Sequence, residues 1–138
     1  MDTASWYAML LKPSWAPAAW LFGPVWTVLY VIMAASFGTV FYKFFKKEIP
    51  ARVALPFALN IVFNVAYSPI QFGLQNNLLA ALDILLVLGT LVWGMVAIWR
   101  LAPRSFSGVG WVALANIPYL LWVSFATVLQ LTITYLNF

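Results

Sequence analysis

Residues 53–73 read VALPFALNIVFNVAYSPIQFG, a run without a single charged side chain. About 20 mostly apolar residues are what a helix needs to cross a hydrocarbon core of about 30 Å. The polar side chains within the run are not scattered. Asn60, Asn64, Tyr67 and Gln71 follow one another at spacings of 4, 3 and 4, so a helix carries them on one face. An outer-membrane strand would be about 10 residues long and would alternate polar with apolar, and this run does neither. The stretch reads as a spanning helix with one amide-rich stripe. Amides in hydrocarbon must find partners, so the stripe points into a bundle. It serves either as interhelical hydrogen-bonding material or as the wall of a polar cavity.

The same reading extends to both sides. The ten charges of the 138-residue chain are Asp2, Lys12, Lys43, Lys46, Lys47, Glu48, Arg52, Asp83, Arg100 and Arg104. They leave uncharged stretches at 13–42, 53–82, 84–99 and 105–138. These predict spans at about 22–42, 53–73, 78–99 and 112–135, giving an all-α integral membrane protein folded as an antiparallel four-helix bundle. The whole of 1–138 reads as one membrane domain. Pro24, Pro56 and Pro118 are expected in first turns, where a missing N–H costs little. Pro50 and Pro103 fall in connections, and Pro69 falls late in the second span, where a kink is expected. Short connections make successive helices antiparallel neighbours. The basic residues gather at 43–52 and 100–111, so these connections are expected in the cytoplasm and both termini on the opposite side.

Composition removes many functions. The chain is 65% hydrophobic and 7% charged, against roughly 25% charged in soluble domains. Its formal net charge of +4 is a topology signal and gives no support to nucleic-acid binding. Histidine and cysteine are absent, which excludes disulfides, thiolate nucleophiles, imidazole bases, the usual zinc ligands and His- or Cys-ligated haem. No Ser-His, paired-carboxylate or phosphate-loop arrangement is present, so no catalytic constellation can be named and enzyme status stays open. No metal site and no required cofactor are expected.

What remains is an aromatic excess of 18%, with eight tryptophans. Trp6, Tyr7, Trp15 and Trp20, interleaved with Lys12, Pro13 and Pro17, make residues 1–21 an interfacial flap or lid. In the first span Trp26, Tyr30, Met33 and Phe37 form a stripe, beside the small pair Ala34 and Gly38. In the last span Ala115, Tyr119, Trp122 and Ala126 share a face. Such stripes serve packing, or they outline a cleft for a flat ring system. Asp83 is the one carboxylate expected within a span, on a face with Val87, Thr90 and Gly94. It is either functional or a near-interface residue paired locally.

In order along the chain, the decisive segments are Trp6-Tyr7, Lys12-Pro13-Ser14-Trp15-Ala16-Pro17, Gly23-Pro24-Val25-Trp26 and Leu29-Tyr30. They continue with Leu59-Asn60, Asn64, Pro69, Phe72-Gly73, Ala81-Leu82-Asp83-Ile84-Leu85-Leu86-Val87, Pro118-Tyr119, Trp122 and Phe125-Ala126-Thr127. As an ordered set they resemble the TspO/MBR family of tryptophan-rich sensory and translocator proteins. The resemblance implies a bundle with a ligand cavity under the Trp6–Trp20 lid, taking porphyrins or other tetrapyrroles, sterols or aromatic drugs. It implies Tyr7, Trp26, Asn64, Trp122 and Ala126 as ligand contacts, to which the stripes add Tyr30, Asn60 and Tyr67. Trp26 and Trp122 match tryptophans implicated in light-dependent porphyrin degradation. Homodimers are implied as well.

Three departures accompany it. The family's spanning helix ahead of the Trp6 segment has no counterpart here, leaving four spans where five are usual. The family's paired prolines appear as Pro17-Ala18. The C-terminal cholesterol pattern of animal members lacks its basic residue in Tyr135-Leu136-Asn137-Phe138, although Val40-Phe41-Tyr42 with Lys46 matches that pattern elsewhere. A competing reading is a small proton-coupled exporter of lipophilic compounds that uses Asp83.

Overall fold

The computed structural model describes residues 9–16, 21–101 and 109–137. Helix α1 is Phe22–Phe45 and α2 is Ala51–Ser68, which continues as a single π-helical turn, Pro69–Gly73. Helix α3 is Asn77–Leu101. Helix α4, Gly110–Ala115, and α5, Ile117–Leu136, together make the fourth span. The four spans of 24, 21, 25 and 27 residues measure about 30–40 Å at 1.5 Å per residue, enough to cross a bilayer. Among the described residues no strand occurs. The protein is an all-α bundle with four helices long and apolar enough to span a membrane.

Helix α3 holds the centre. It packs most extensively on α2, then on α5 and α4, while α1 leans on α2 and α4. Gly94 lets α3 approach α2 closely, for a Cβ there would lie 3.1 Å from Cζ of Phe57. Phe57 is buried and stands edge-on to Phe37 of α1 at 4.8 Å. Leu29, Met33, Val40, Ile84, Val87, Leu91, Ile98 and Val123 complete the apolar core. Val28, Val62, Val65, Leu82 and Leu121 point outward. That arrangement suits lipid, where outward leucine and valine cost nothing.

Proline places three local departures from the expected helices. Pro56 lies in the second turn of α2, not the first. Pro50 adopts an extended conformation and caps the helix, and its carbonyl accepts from Val53 and Ala54. The helix therefore starts at Ala51, and Pro56 stands where an N–H would have reached the carbonyl of Arg52. At Pro69 the expected kink takes the form of a π turn, with the Leu74 N–H donating to the Pro69 carbonyl at 2.9 Å. The fourth span is not continuous. It breaks at Asn116, two residues before Pro118, which starts α5 afresh in its first turn.

The connection after α1 is a Schellman turn. The Lys47 N–H donates to the Phe44 carbonyl and the Glu48 N–H to that of Lys43, with Lys47 in the left-handed region at φ 62°. This pattern terminates a helix by giving its last carbonyls partners, and glycine usually occupies the left-handed position.

Candidate functional site

The amide stripe of α2 divides between two hydrogen-bond networks. In the first, Tyr30 Oη donates to Asn64 Oδ1 at 3.1 Å and Asn64 Nδ2 donates to Tyr119 Oη at 2.8 Å. Tyr119 Oη in turn donates to Asn60 Oδ1 at 2.9 Å. Asn60 Nδ2 then donates to the Val87 carbonyl at 2.8 Å and to Thr90 Oγ1 at 3.2 Å. Four spans are joined by one directed chain of donors. In hydrocarbon each member would otherwise be an orphaned polar group, and bonds aligned in one direction polarise one another.

Tyr67 belongs to the second network. Its Oη donates to Gln130 Oε1 at 2.6 Å. Gln130 Nε2 reaches Gln71 Oε1, the Asn77 carbonyl and Thr134 Oγ1 at 3.2–3.3 Å. Gln71 Nε2 donates to Asn77 Oδ1 at 3.1 Å. These contacts tie the π turn of the second span to the start of α3 and the end of α5. A third, smaller pair joins α1 to the helix break: Asn116 Nδ2 donates to Ser36 Oγ at 2.9 Å and to the Val112 carbonyl at 2.8 Å.

The aromatic stripes meet beside the first network. Trp26 lies 5.4 Å from the Tyr30 ring and 6.3 Å from that of Tyr119. The stripe on α1 does not face inward throughout. Met33 and Phe37 are buried, whereas Tyr30 is 50% exposed. Among the described elements helix α1 has neighbours chiefly in α2 and α4. Trp122 meets Phe22 edge-on at 5.7 Å and Phe125 at 5.6 Å. Its indole Nε1 is buried without a hydrogen-bond partner among the described residues. Ala126 is half-buried and packs against the core.

The described part of the N-terminal segment runs alongside. Leu11 N–H donates to Asn137 Oδ1 at 3.0 Å, and Asn137 Nδ2 donates to the Leu11 carbonyl at 2.9 Å. Trp15 then meets Phe125 edge-on at 5.7 Å. A two-point amide clamp and a ring contact therefore hold this segment along α5, next to the Phe125–Trp122 pair. Tyr7 lies outside the described residues.

Asp83 stands apart. It is 6% exposed, on the α3 face shared with Val87, Thr90 and Gly94 that meets α2. Its Oδ2 has no hydrogen-bond partner among the described residues.

The geometry therefore gathers Trp26, Tyr30, Asn60 and Asn64 around Tyr119, and sets Trp122 in a neighbouring aromatic cluster. It sends Tyr67 to a separate network, and Asp83 joins neither network among the described residues. Tyr119 is the hub, and its place in the stripe of the last span gave no sign of that polar role. Gln130 and Thr134 were missed in the sequence, although their spacing of four in an otherwise apolar span is a signal that could have found them. The Asn116–Ser36 pair carried no sequence signal, because its members are 80 residues apart.

The sequence pattern of the TspO/MBR family matches residues 1–136. The tryptophan-rich protein TspO of Chlorobaculum tepidum is 40% identical over 136 residues, covering 97% of this chain and 81% of that protein. The protein CrtK of Rhodobacter capsulatus is 31% identical over 134 residues, 96% of this chain and 79% of the relative. The human translocator protein is 35% identical over 130 residues, 91% of this chain and 70% of that protein. A whole-length family match and these relatives, on a four-span bundle, lead to one conclusion: the chain belongs to the TspO/MBR family.

Proposed function

We propose that this membrane protein binds a flat, largely apolar ligand, a porphyrin or related tetrapyrrole, against the aromatic surface made by Trp26, Tyr30 and Trp122. The observation that carries the reading is the buried, unpartnered indole N–H of Trp122 amid Phe22, Phe125 and, beyond them, Trp15. A ligand that displaced the Phe22 or Phe125 ring would bring this buried indole donor the acceptor it lacks. Aromatic faces supply the remaining area, since stacked and edge-on rings contribute beyond simple burial. Ala126, one turn from Trp122, is half-buried against the core and adds a small side chain to this surface. Sterols and aromatic drugs fit the same surface by shape. The basic connections face the cytoplasm and the termini the opposite side on this reading.

The test is a titration of protoporphyrin IX into detergent-purified protein, followed by tryptophan fluorescence. Saturable quenching is expected, and weakened in a Trp26→Ala, Trp122→Ala double variant. Quenching unchanged in that variant refutes the site. Illumination of the complex decides whether binding leads to degradation. Loss of the Soret band faster than in a protein-free control, and dependent on Trp26 and Trp122, marks a light-driven reaction.

The unpartnered Oδ2 of Asp83 favours a second reading, a small exporter that exchanges protons for lipophilic compounds. It predicts pH-dependent substrate release that disappears in Asp83→Asn. Transport or binding equal to wild type at every pH in that variant ends it.

A further inference from the structure

The two ends of the bundle differ in charge. Where α2 meets α3, the connection at 74–77 carries none. The opposite end, where α1 finishes and α2 begins, presents Lys43, Lys46, Lys47 and Arg52 within ten residues. Arg100 lies at the same level, because Gly94 touches Phe57 and the two antiparallel helices each run six residues further to Arg100 and Ala51. Among the described residues Glu48 is the acid at this end, and it pairs with Lys43 at 3.4 Å. Lys46, Lys47, Arg52 and Arg100 are exposed, with no acidic partner among the described residues.

The connection is also held in one shape. The Schellman bonds fix residues 43–48, the Ile49 side chain is buried in the core, and Pro50 sets the entry into α2. Lys46 Nζ sits 5.6 Å above the Tyr42 ring. Tyr42, Phe45 and Trp99 project outward at this level, with Phe45 78% exposed. Exposed aromatics beside lysine and arginine mark the depth of the lipid headgroups. Exposed cations carried on a held backbone at that depth suit the phosphate of an anionic lipid.

We propose that Lys46, Lys47, Arg52 and Arg100 form a preformed seat for the headgroup of an anionic phospholipid. The aromatic rim of Tyr42, Phe45 and Trp99 holds the seat at headgroup depth, and the Lys43–Glu48 pair contributes nothing to it. The seat is independent of the ligand site near Trp122, so it stands or falls separately.

The test uses the full chain in phosphatidylcholine bilayers with trace spin-labelled phosphatidylglycerol or spin-labelled phosphatidylcholine. Paramagnetic resonance then gives the relative association of each lipid. Wild type is expected to prefer phosphatidylglycerol, with the preference shrinking as salt rises. Lys46→Gln, Lys47→Gln and Arg52→Gln are each expected to lower it by about two- to fivefold. A Lys43→Gln, Glu48→Gln variant, which removes a neutral pair, is expected to match wild type. Millimolar inorganic phosphate should leave the preference unchanged. Equal association of both lipids, or a preference that survives all three single substitutions, overturns the proposal. Displacement of phosphatidylglycerol by inorganic phosphate overturns the lipid assignment.

Discussion

Replacing Tyr119 by phenylalanine removes one oxygen atom and takes the partner from the Asn64 N–H and from the Asn60 side-chain oxygen. The hydroxyl of this fully buried side chain accepts from Asn64 at 2.8 Å and donates to Asn60 at 2.9 Å. Phenylalanine fills the same space and keeps the ring contacts with Trp26 and Phe37, so no cavity term enters. The loss is purely polar. Interhelical hydrogen bonds in membranes average about 0.6 kcal/mol and reach about 1.7, and leaving a buried group unsatisfied costs about 1–3 kcal/mol. Two bonds with buried members give an expected destabilisation of about 1–3 kcal/mol. Equilibrium unfolding in mixed micelles with increasing denaturing detergent measures it.

The pattern across variants is more diagnostic than the single value. Tyr30→Phe removes one bond from a half-exposed residue and should cost less than about 1 kcal/mol. Removing both Tyr119 Oη and the Asn64 amide, as Tyr119→Phe with Asn64→Leu, should cost less than the sum of the single changes. The second substitution deletes the group that the first left unpaired. Tyr119→Phe within about 0.3 kcal/mol of wild type, or strictly additive single and double variants, refutes the claim that this hydroxyl holds the spans together.

Three further outcomes follow from particular contacts. Gly94→Ala sets a methyl 3.1 Å from a Phe57 ring that is itself wedged against Phe37, and should cost about 1–3 kcal/mol, read as a lowered thermal midpoint. Lys47→Gly relieves a left-handed lysine at φ 62° and should stabilise by about 1 kcal/mol, a gain detectable in the same melt. Asn137→Ala removes both amide bonds to Leu11. Because the chain has no cysteine, a spin label at Leu11→Cys reports only that segment. Its mobile fraction is expected to rise on Asn137→Ala, and an unchanged spectrum excludes the clamp.

How far these features were legible depended on what encodes them. Spans are written as the absence of charge over about 20 residues, a property of each segment alone, and the sequence marked all four. The α2 stripe is legible for the same reason, since spacings of three and four are local. What a stripe meets is not local. Tyr67 shares a face with Asn64, yet it turns to Gln130 because the π turn at Pro69 couples that end of the span to α3 and α5. Trp26 and Tyr30 lie on one face with Phe37, but burial along that face depends on which helices stand beside α1. Pro118 reads as a first-turn proline only once the break at Asn116 is known, and Asn116 pairs with a serine three helices away.

The networks also bear on what the proposed ligand can use. Asn60 and Asn64 were expected to offer amide hydrogen bonds to a ligand's polar edge. In the structure both side-chain oxygens accept from tyrosines and both nitrogens already donate. A ligand that claimed the Asn60 nitrogen would have to break a bond between helices, whereas Asn64 Nδ2 donates once among the described residues and keeps a second N–H for an acceptor. Affinity on the proposed reading therefore rests on aromatic area at Trp26, Tyr30 and Trp122, and polar selectivity on the Trp122 indole N–H and the second N–H of Asn64. That division favours flat apolar ring systems with acceptors at the edge. It also separates two classes of variant: loss of the amides should lower stability first, whereas loss of the tryptophans should lower binding while the fold persists.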